Sequence, residues 1–385
     1  MSTNPPPMND CQTPTPSPSR CRACWMAQKG IHHAIVAVES VDRAFRWIGA
    51  AGNANPDGTP IQEDSIFWIA SVTKLHIAAT IFKLIERGSI DLTSPIATYL
   101  TPSLISGIHR LDGVDHTEGI TVQHLLGHTS GPSDYFDESP GEEPSLIDRV
   151  LERDQAWTLE DILRIVREDL TPHFPPQSLD TKHQKIHYSD TNYQLLIAII
   201  EAVTGQPLHQ VFEAVLYTPL GLTQTLHPDT VAEPSPQPAT VWAEEQALDI
   251  PLAMTGFRDL NSTADDLLTF MRALVRGELF DAPATLDLMM GSWNSFPVSL
   301  NPAPSRPTWP IQYGLGMMRM AIPRIFSPLR PIPPVVGHTG VSGSWLFYSP
   351  PLDLLLAGTV DQLAASAVPF RFLPRLLGTL AAAAR

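Results

Sequence analysis

Runs that read as β-strands stand near the two ends of this chain, and helical patterns occupy most of what lies between. HHAIVAVES (32–40) and AFRWIGAAG (44–52) are rich in β-branched and aromatic residues and are split by a short polar VDR, the pattern of an antiparallel pair. GSWLFYSP and LDLLLAGTVD form a second such pair late in the chain, and an Ala/Leu-rich helix follows it. Strands at both ends with helices between predict an α+β fold: one antiparallel sheet built from both chain ends, flanked by helices, with a mostly helical region inserted.

The chain has 385 residues, 43% of them hydrophobic and 17% charged, which is ample material for a core and long for a single packed unit. The expected division is a Pro/Ser/Thr-rich disordered extension at 1–28 followed by one domain at 29–385. Within it, 29–100 and 250–385 form an α/β part and 101–249 a mostly helical part, with a substrate cleft between. The net charge of −15 and the lack of any basic run exclude a general nucleic-acid binder. No run of 18 apolar residues predicts a membrane span, and the absence of an apolar signal region makes a cytoplasmic location the expectation. Cys11, Cys21 and Cys24 all fall in the extension. They read as a thiol-bearing arm rather than as metal ligands with His32 and His33, since structural zinc needs a second, well-spaced ligand pair.

VTKLHIAATIFKLIERGSIDL has helical periodicity through Leu75, Ala78, Ala79, Phe82 and Ile85 and closes at Gly88. Further helices are expected over 120–127, 158–170 and 191–205, and over 261–279 with Ser262 or Thr263 as N-cap and Asp265 and Asp266 in the first turn. Residues 131–147 and 171–187 read as loops, and the Pro-rich 295–335 is expected to wander over the surface.

The chain holds only five lysines, and one of them, Lys74, lies three residues after Ser71 at the start of a predicted helix. At that spacing the two side chains share a face. A serine hydroxyl is a poor nucleophile until a neighbour takes its proton, and a lysine of lowered pKa can do so. Alone the pair is weak, because S-x-x-K arises about once by chance in a chain this long. Tyr188, in YSD just ahead of a helix, could relay protons beside such a lysine, although a lone tyrosine is more often a buried aromatic. GHTGVSGSW (337–345) places glycines just before a strand, where backbone can approach a substrate closely, although alone it is an ordinary turn.

Together these three stretches resemble the serine β-lactamase and penicillin-binding-protein superfamily, in particular its class C-like branch of family VIII esterases, D-aminopeptidases and DD-peptidases. The family's S-x-x-K, Tyr-x-Asn and Lys-Thr-Gly elements correspond, in order, to Ser71–Lys74, Tyr188–Asp190 and His338–Gly340. ERGSIDL, LLGHTSG, STADDLLTFMRAL and YGLGM also match, and the likeness covers roughly 30–380. It implies Ser71 as the nucleophile of an acyl-enzyme and Lys74 with Tyr188 as its proton-transfer partners. The backbone N–H groups of Ser71 and Val341 would form the oxyanion hole, with His338 and Gly340 lining the substrate side.

Two positions depart from the family pattern. His338 replaces the lysine that faces a substrate carboxylate, and Asp190 replaces an asparagine, where a carboxylate would repel anions and hold Lys74 protonated or orient Tyr188. Both changes weigh against efficient β-lactam hydrolysis. His124 and His128 belong to a structural turn of the family, GVSGS lacks the last glycine of a nucleophile elbow, and no H-E-x-x-H or paired C-x-x-C occurs. The expectation is a metal-free, cofactor-free serine hydrolase acting on small ester, amide or peptide substrates, as an esterase, D-aminopeptidase or DD-peptidase. A β-lactamase and a non-catalytic binding protein of the same fold are the alternatives.

Overall fold

A computed structural model describes residues 30–228, 237–297, 311–328, 331–363 and 366–383. The disordered extension predicted at 1–28, with its three cysteines, lies outside the described residues. An eight-stranded antiparallel sheet joins β1 (His33–Ser40), β2 (Arg46–Gly52), β3 (Asn294–Ser295), β4 (Ile311–Tyr313), β5 (Met318–Met320), β6 (Val335–Thr339), β7 (Trp345–Ser349) and β8 (Leu354–Thr359). Their spatial order is β2-β1-β8-β7-β6-β5-β4-β3, so the two expected hairpins meet edge to edge. The seam runs from Ile35 opposite Thr359 to Ser40 opposite Leu354.

Both faces of this sheet are covered, which explains why its strands read as continuous apolar runs. In β1, Ile35 and Ala37 point into the main core, while Ala34, Val36 and Val38 point into a second one. That second core is closed by the last helix through Val368, Phe370, Leu373 and Leu377. The main core is threaded by α1 (Thr73–Glu86), α2 (Asp190–Thr204) and α3 (Ala264–Val275); α4 (Val368–Ala383) is the helix on the other face. Thr263 is the N-cap of α3, its hydroxyl accepting from Asp266 N at 3.2 Å. Gly205, at φ 66°, closes α2 in the left-handed conformation that glycine adopts without steric cost.

The Pro-rich stretch 295–335 does not simply wander. It contributes β4 and β5, whose Tyr313, Met318 and Met320 are buried and whose partner β6 begins at Val335. The hairpin between them passes so close to α1 that a Cβ on Gly316 would sit 2.2 Å from that of Ala78. The strands are only three residues long, too short for period-two alternation to stand out among prolines. His32 and His33 are structural: His32 stacks on Trp242 at 3.7 Å, and His33 Nε2 lies 2.8 Å from the buried Asp361. Among the described residues no single helix is long and apolar enough to cross a membrane.

Candidate active site

Ser71 sits in a 3₁₀ turn, Ala70–Val72, that runs directly into α1. The preceding Ala70 is fully buried and adopts φ 46°, a conformation that costs a non-glycine residue of order 1 kcal/mol or more and persists only where its surroundings enforce it. The GVSGS turn between β6 and β7 supplies those surroundings. Ser342 Oγ donates to Trp68 O at 3.0 Å and Ser344 Oγ donates to Ile69 O at 2.7 Å. A Cβ on Gly340 would meet Ser344 Oγ at 2.3 Å, Ile69 O at 2.7 Å and Ala70 Cβ at 2.9 Å. The glycine of the third motif is therefore required so that this hairpin can clamp the backbone ahead of Ser71.

One turn into the helix, Lys74 is only 3% exposed; its Nζ donates to Ser71 Oγ at 2.9 Å and to Asp190 Oδ1 in a very short contact. It also lies 5.1 Å from the ring centre of Tyr188 and 5.3 Å from that of Tyr193. Burial works against the ammonium form, yet the charges of Asp190 and its neighbours prevail and hold the Lys74 pKa well above its ordinary value. The Tyr188 ring packs against the Lys74 ammonium at the mouth of the same turn. Burial pushes its pKa up, Lys74 opposes this, and Asp190 adds to it. Ser71, Lys74, Tyr188 and Asp190 thus come together from the start of α1 and the start of α2.

These four line a cavity of about 580 Å³ with Thr339, Gly340 and Val341 on the β6 side. Apolar walls come from Trp68, Phe136, Phe257, Phe296 and Ile311. His338 does not line it, contrary to the sequence expectation. It is fully buried behind the strand: its Nε2 is 3.0 Å from Tyr313 Oη and its Nδ1 2.6 Å from Thr339 O. A carbonyl can only accept, so Nδ1 carries the hydrogen and Nε2 accepts from the tyrosine. Burial, reinforced by Lys74, lowers the His338 pKa to about 3, so it is neutral and offers no charge to a substrate.

The cavity is acidic for a reason the motifs do not reveal. Asp134, Asp137 and Asp259 join Asp190 in its lining, where Lys74 is the sole cation among the described residues. Asp134 Oδ1 accepts from Asp190 N at 3.1 Å, and burial together with the Asp190 charge keeps its carboxyl far above the usual range. Burial raises Asp259 to about 7; Lys74 opposes the shift and Asp190 adds to it. His128 packs on Tyr188 at 4.3 Å and accepts from Ser189 N and Asn192 Nδ2 through Nδ1, so it supports the tyrosine as a neutral ring. His124 caps a short helix, its Nε2 2.7 Å from Gln177 O, as a structural residue.

A family model described as Beta-lactamase matches residues 26–367. Among curated relatives, Esterase EstB of Burkholderia gladioli is 31% identical over 172 residues, 43% of this chain and 39% of that protein. D-alanyl-D-alanine-carboxypeptidase/endopeptidase AmpH of Escherichia coli (strain K12) is 25% identical over 260 residues, 66% of this chain and 60% of AmpH. The chain spans about half the length of the curated relatives it matches. Among solved structures, a D-stereospecific amidohydrolase from Streptomyces sp. superposes with TM-score 0.69 at 24% identity, covering 92% of this chain and 97% of the other. EstCE1, a hydrolase with promiscuous acyltransferase activity, gives TM-score 0.72 at 20% identity, with 94% and 97% covered. At these identities the structural likeness speaks for the fold.

Proposed function

The chain belongs to the beta-lactamase family, and from that premise we propose that it is a serine hydrolase that forms an acyl-enzyme on Ser71 with small esters or amides. The observation that carries this reading is the contact of Ser71 Oγ with Lys74 Nζ at 2.9 Å, in the cavity and beside Tyr188. In the reaction, Ser71 Oγ bonds to the substrate carbonyl carbon as its proton leaves for the Lys74 amine. Lys74 can accept that proton only as the free amine, so it first gives one of its own to solvent, a loss that the charge of Asp190 beside Nζ opposes. The carbonyl oxygen becomes the oxyanion, facing the backbone N–H groups of Ser71 and Val341. Collapse expels the leaving group, which takes a proton from the Lys74–Tyr188 pair, and water then releases the acyl group by the reverse path.

Substrate preference follows from charge. The position that faces a substrate carboxylate in the family holds the buried, neutral His338, and Lys74, the one cation of the lining among the described residues, is already paired with Asp190. That arrangement disfavours an anionic β-lactam or a peptide carboxylate, and favours neutral acyl esters or amides bearing a free amino group. Esterase or D-aminopeptidase activity is accordingly the leading form, ahead of DD-carboxypeptidase or β-lactamase.

A fluorophosphonate probe should label the protein once, and Ser71→Ala should abolish the label; labelling of that variant at another serine would overturn the assignment. On one purified sample, p-nitrophenyl butyrate or a D-amino acid p-nitroanilide should turn over faster than nitrocefin. No turnover of any of them by a folded, unlabelled protein would favour a binding role for the cleft.

A further inference from the structure

Beside the cleft, outside its lining, three side chains from two loops meet at one point. Glu138 lies two residues beyond the cavity wall at Phe136, His173 comes from the second loop, and His187 immediately precedes Tyr188. Glu138 Oε1 lies 2.6 Å from His187 Nε2 and 2.9 Å from His173 Nε2, and the two imidazoles stack with ring centres 3.6 Å apart. The same oxygen accepts from Asp134 N at 2.9 Å. One ligand atom from each of the three residues lies within 4.8 Å of the others.

We propose that Glu138, His173 and His187 form a binding site for a divalent metal ion of the zinc type. Two imidazole nitrogens and one carboxylate oxygen are a donor set such ions take, leaving further positions for water. A single carboxylate oxygen has two lone-pair directions, and here three N–H groups are directed at it. An ion that replaces the two imidazole protons relieves that crowding. The backbone is already fixed independently of the triangle: His173 N donates to Gly131 O at 2.9 Å and His187 N to His128 O at 2.9 Å. Little ordering is therefore left for binding to impose. The His173 side chain is 41% exposed while those of Glu138 and His187 are about 25% and 23%, so ions and water reach the site from one side. Occupied, it would pin the loop carrying Asp134 and Phe136 to the segment that delivers Tyr188.

The test uses the untagged full chain with Cys11, Cys21 and Cys24 changed to serine, which removes competing thiolates. After dialysis against a chelator, zinc chloride is titrated by calorimetry and bound metal is counted by elemental analysis. One equivalent should bind and raise Tm, and Co²⁺ in its place should give d–d absorption without a thiolate charge-transfer band. His173→Ala, at a partly exposed loop position, should fold normally and weaken zinc binding about tenfold or more; His187→Gln should do the same. Absence of a saturable equivalent, or undiminished binding in the folded His173→Ala variant, would show the triangle to be a hydrogen-bonded cluster only.

Discussion

Asp190→Asn is expected to move the pH dependence of catalysis, because Asp190 is the charge that holds Lys74 as an ammonium. Two unit charges about 4 Å apart at an effective dielectric of 20 interact by ~4 kcal/mol. The Asp190 side chain is 21% exposed. Screening, together with the amide oxygen that Asn still offers, reduces the loss of that interaction to about 2–3 kcal/mol, and the Lys74 pKa falls accordingly. At pH 7 the free-amine fraction then rises about a hundredfold. A weaker base pulls less hard on the Ser71 proton, which leaves a net gain of about tenfold in kcat/KM. The assay is p-nitrophenyl butyrate hydrolysis from pH 5 to 10 for both proteins, corrected for spontaneous hydrolysis, with circular dichroism to confirm the fold. The wild type should still be gaining activity at the alkaline end, and the variant should reach its plateau earlier. An unmoved profile, or activity lost at every pH in a folded variant, would refute the argument.

Gly340→Ala should lower kcat at least tenfold and cost about 1–3 kcal/mol, since its Cβ meets Ile69 O at 2.7 Å and Ala70 Cβ at 2.9 Å and must displace the turn bearing Ser71. Kinetics unchanged alongside a normal Tm would show that the hairpin does not position the nucleophile. Ser344→Ala removes the 2.7 Å bond to Ile69 O, leaving a buried carbonyl without that donor. It should cost about 1–3 kcal/mol in urea unfolding and reduce kcat more than it changes KM. Asp259, raised in the fold from 3.8 to about 7, binds its proton more tightly folded than unfolded. Stability is therefore at its full value below pH ~4, falls by about 4 kcal/mol in total as pH rises from there through pH ~7, and is level above. Asp259→Asn should therefore match the wild type in stability near pH 4 and exceed it at pH 8.5; a constant difference across that range would contradict the sign.

The sequence carried the parts of the site that depend on local spacing. Ser71 and Lys74 are placed by helix geometry alone, Tyr188 by its position just ahead of α2, and the sheet by apolar runs that tolerate burial on both faces. What stayed hidden depends on contacts between distant segments. His338 sits where a family lysine would, but its partner Tyr313 belongs to a three-residue strand inside the proline-rich stretch, so its burial leaves no periodic trace. Asp134 and Asp259 lie 125 residues apart on loops, and nothing in either neighbourhood announces that they share a cavity with Asp190. Ser342 and Ser344 stand in a string that reads as a failed elbow motif, and their work is done on the backbone at 68–69 rather than on a substrate.

The seam between β1 and β8 sets an order of events when the chain is made. Ile35 finds its partner at Thr359, so the first hairpin has no sheet to join until the chain through residue 359 has emerged. The helices around α1 and α2 rest on nearer neighbours and can collapse earlier, with β1 presenting unpaired backbone meanwhile. Ser342 and Ser344 arrive with the same late strands, and they fasten the turn that aims Ser71. A nascent chain halted before them would carry the serine and the lysine without the clamp, so activity should emerge only as the sheet closes.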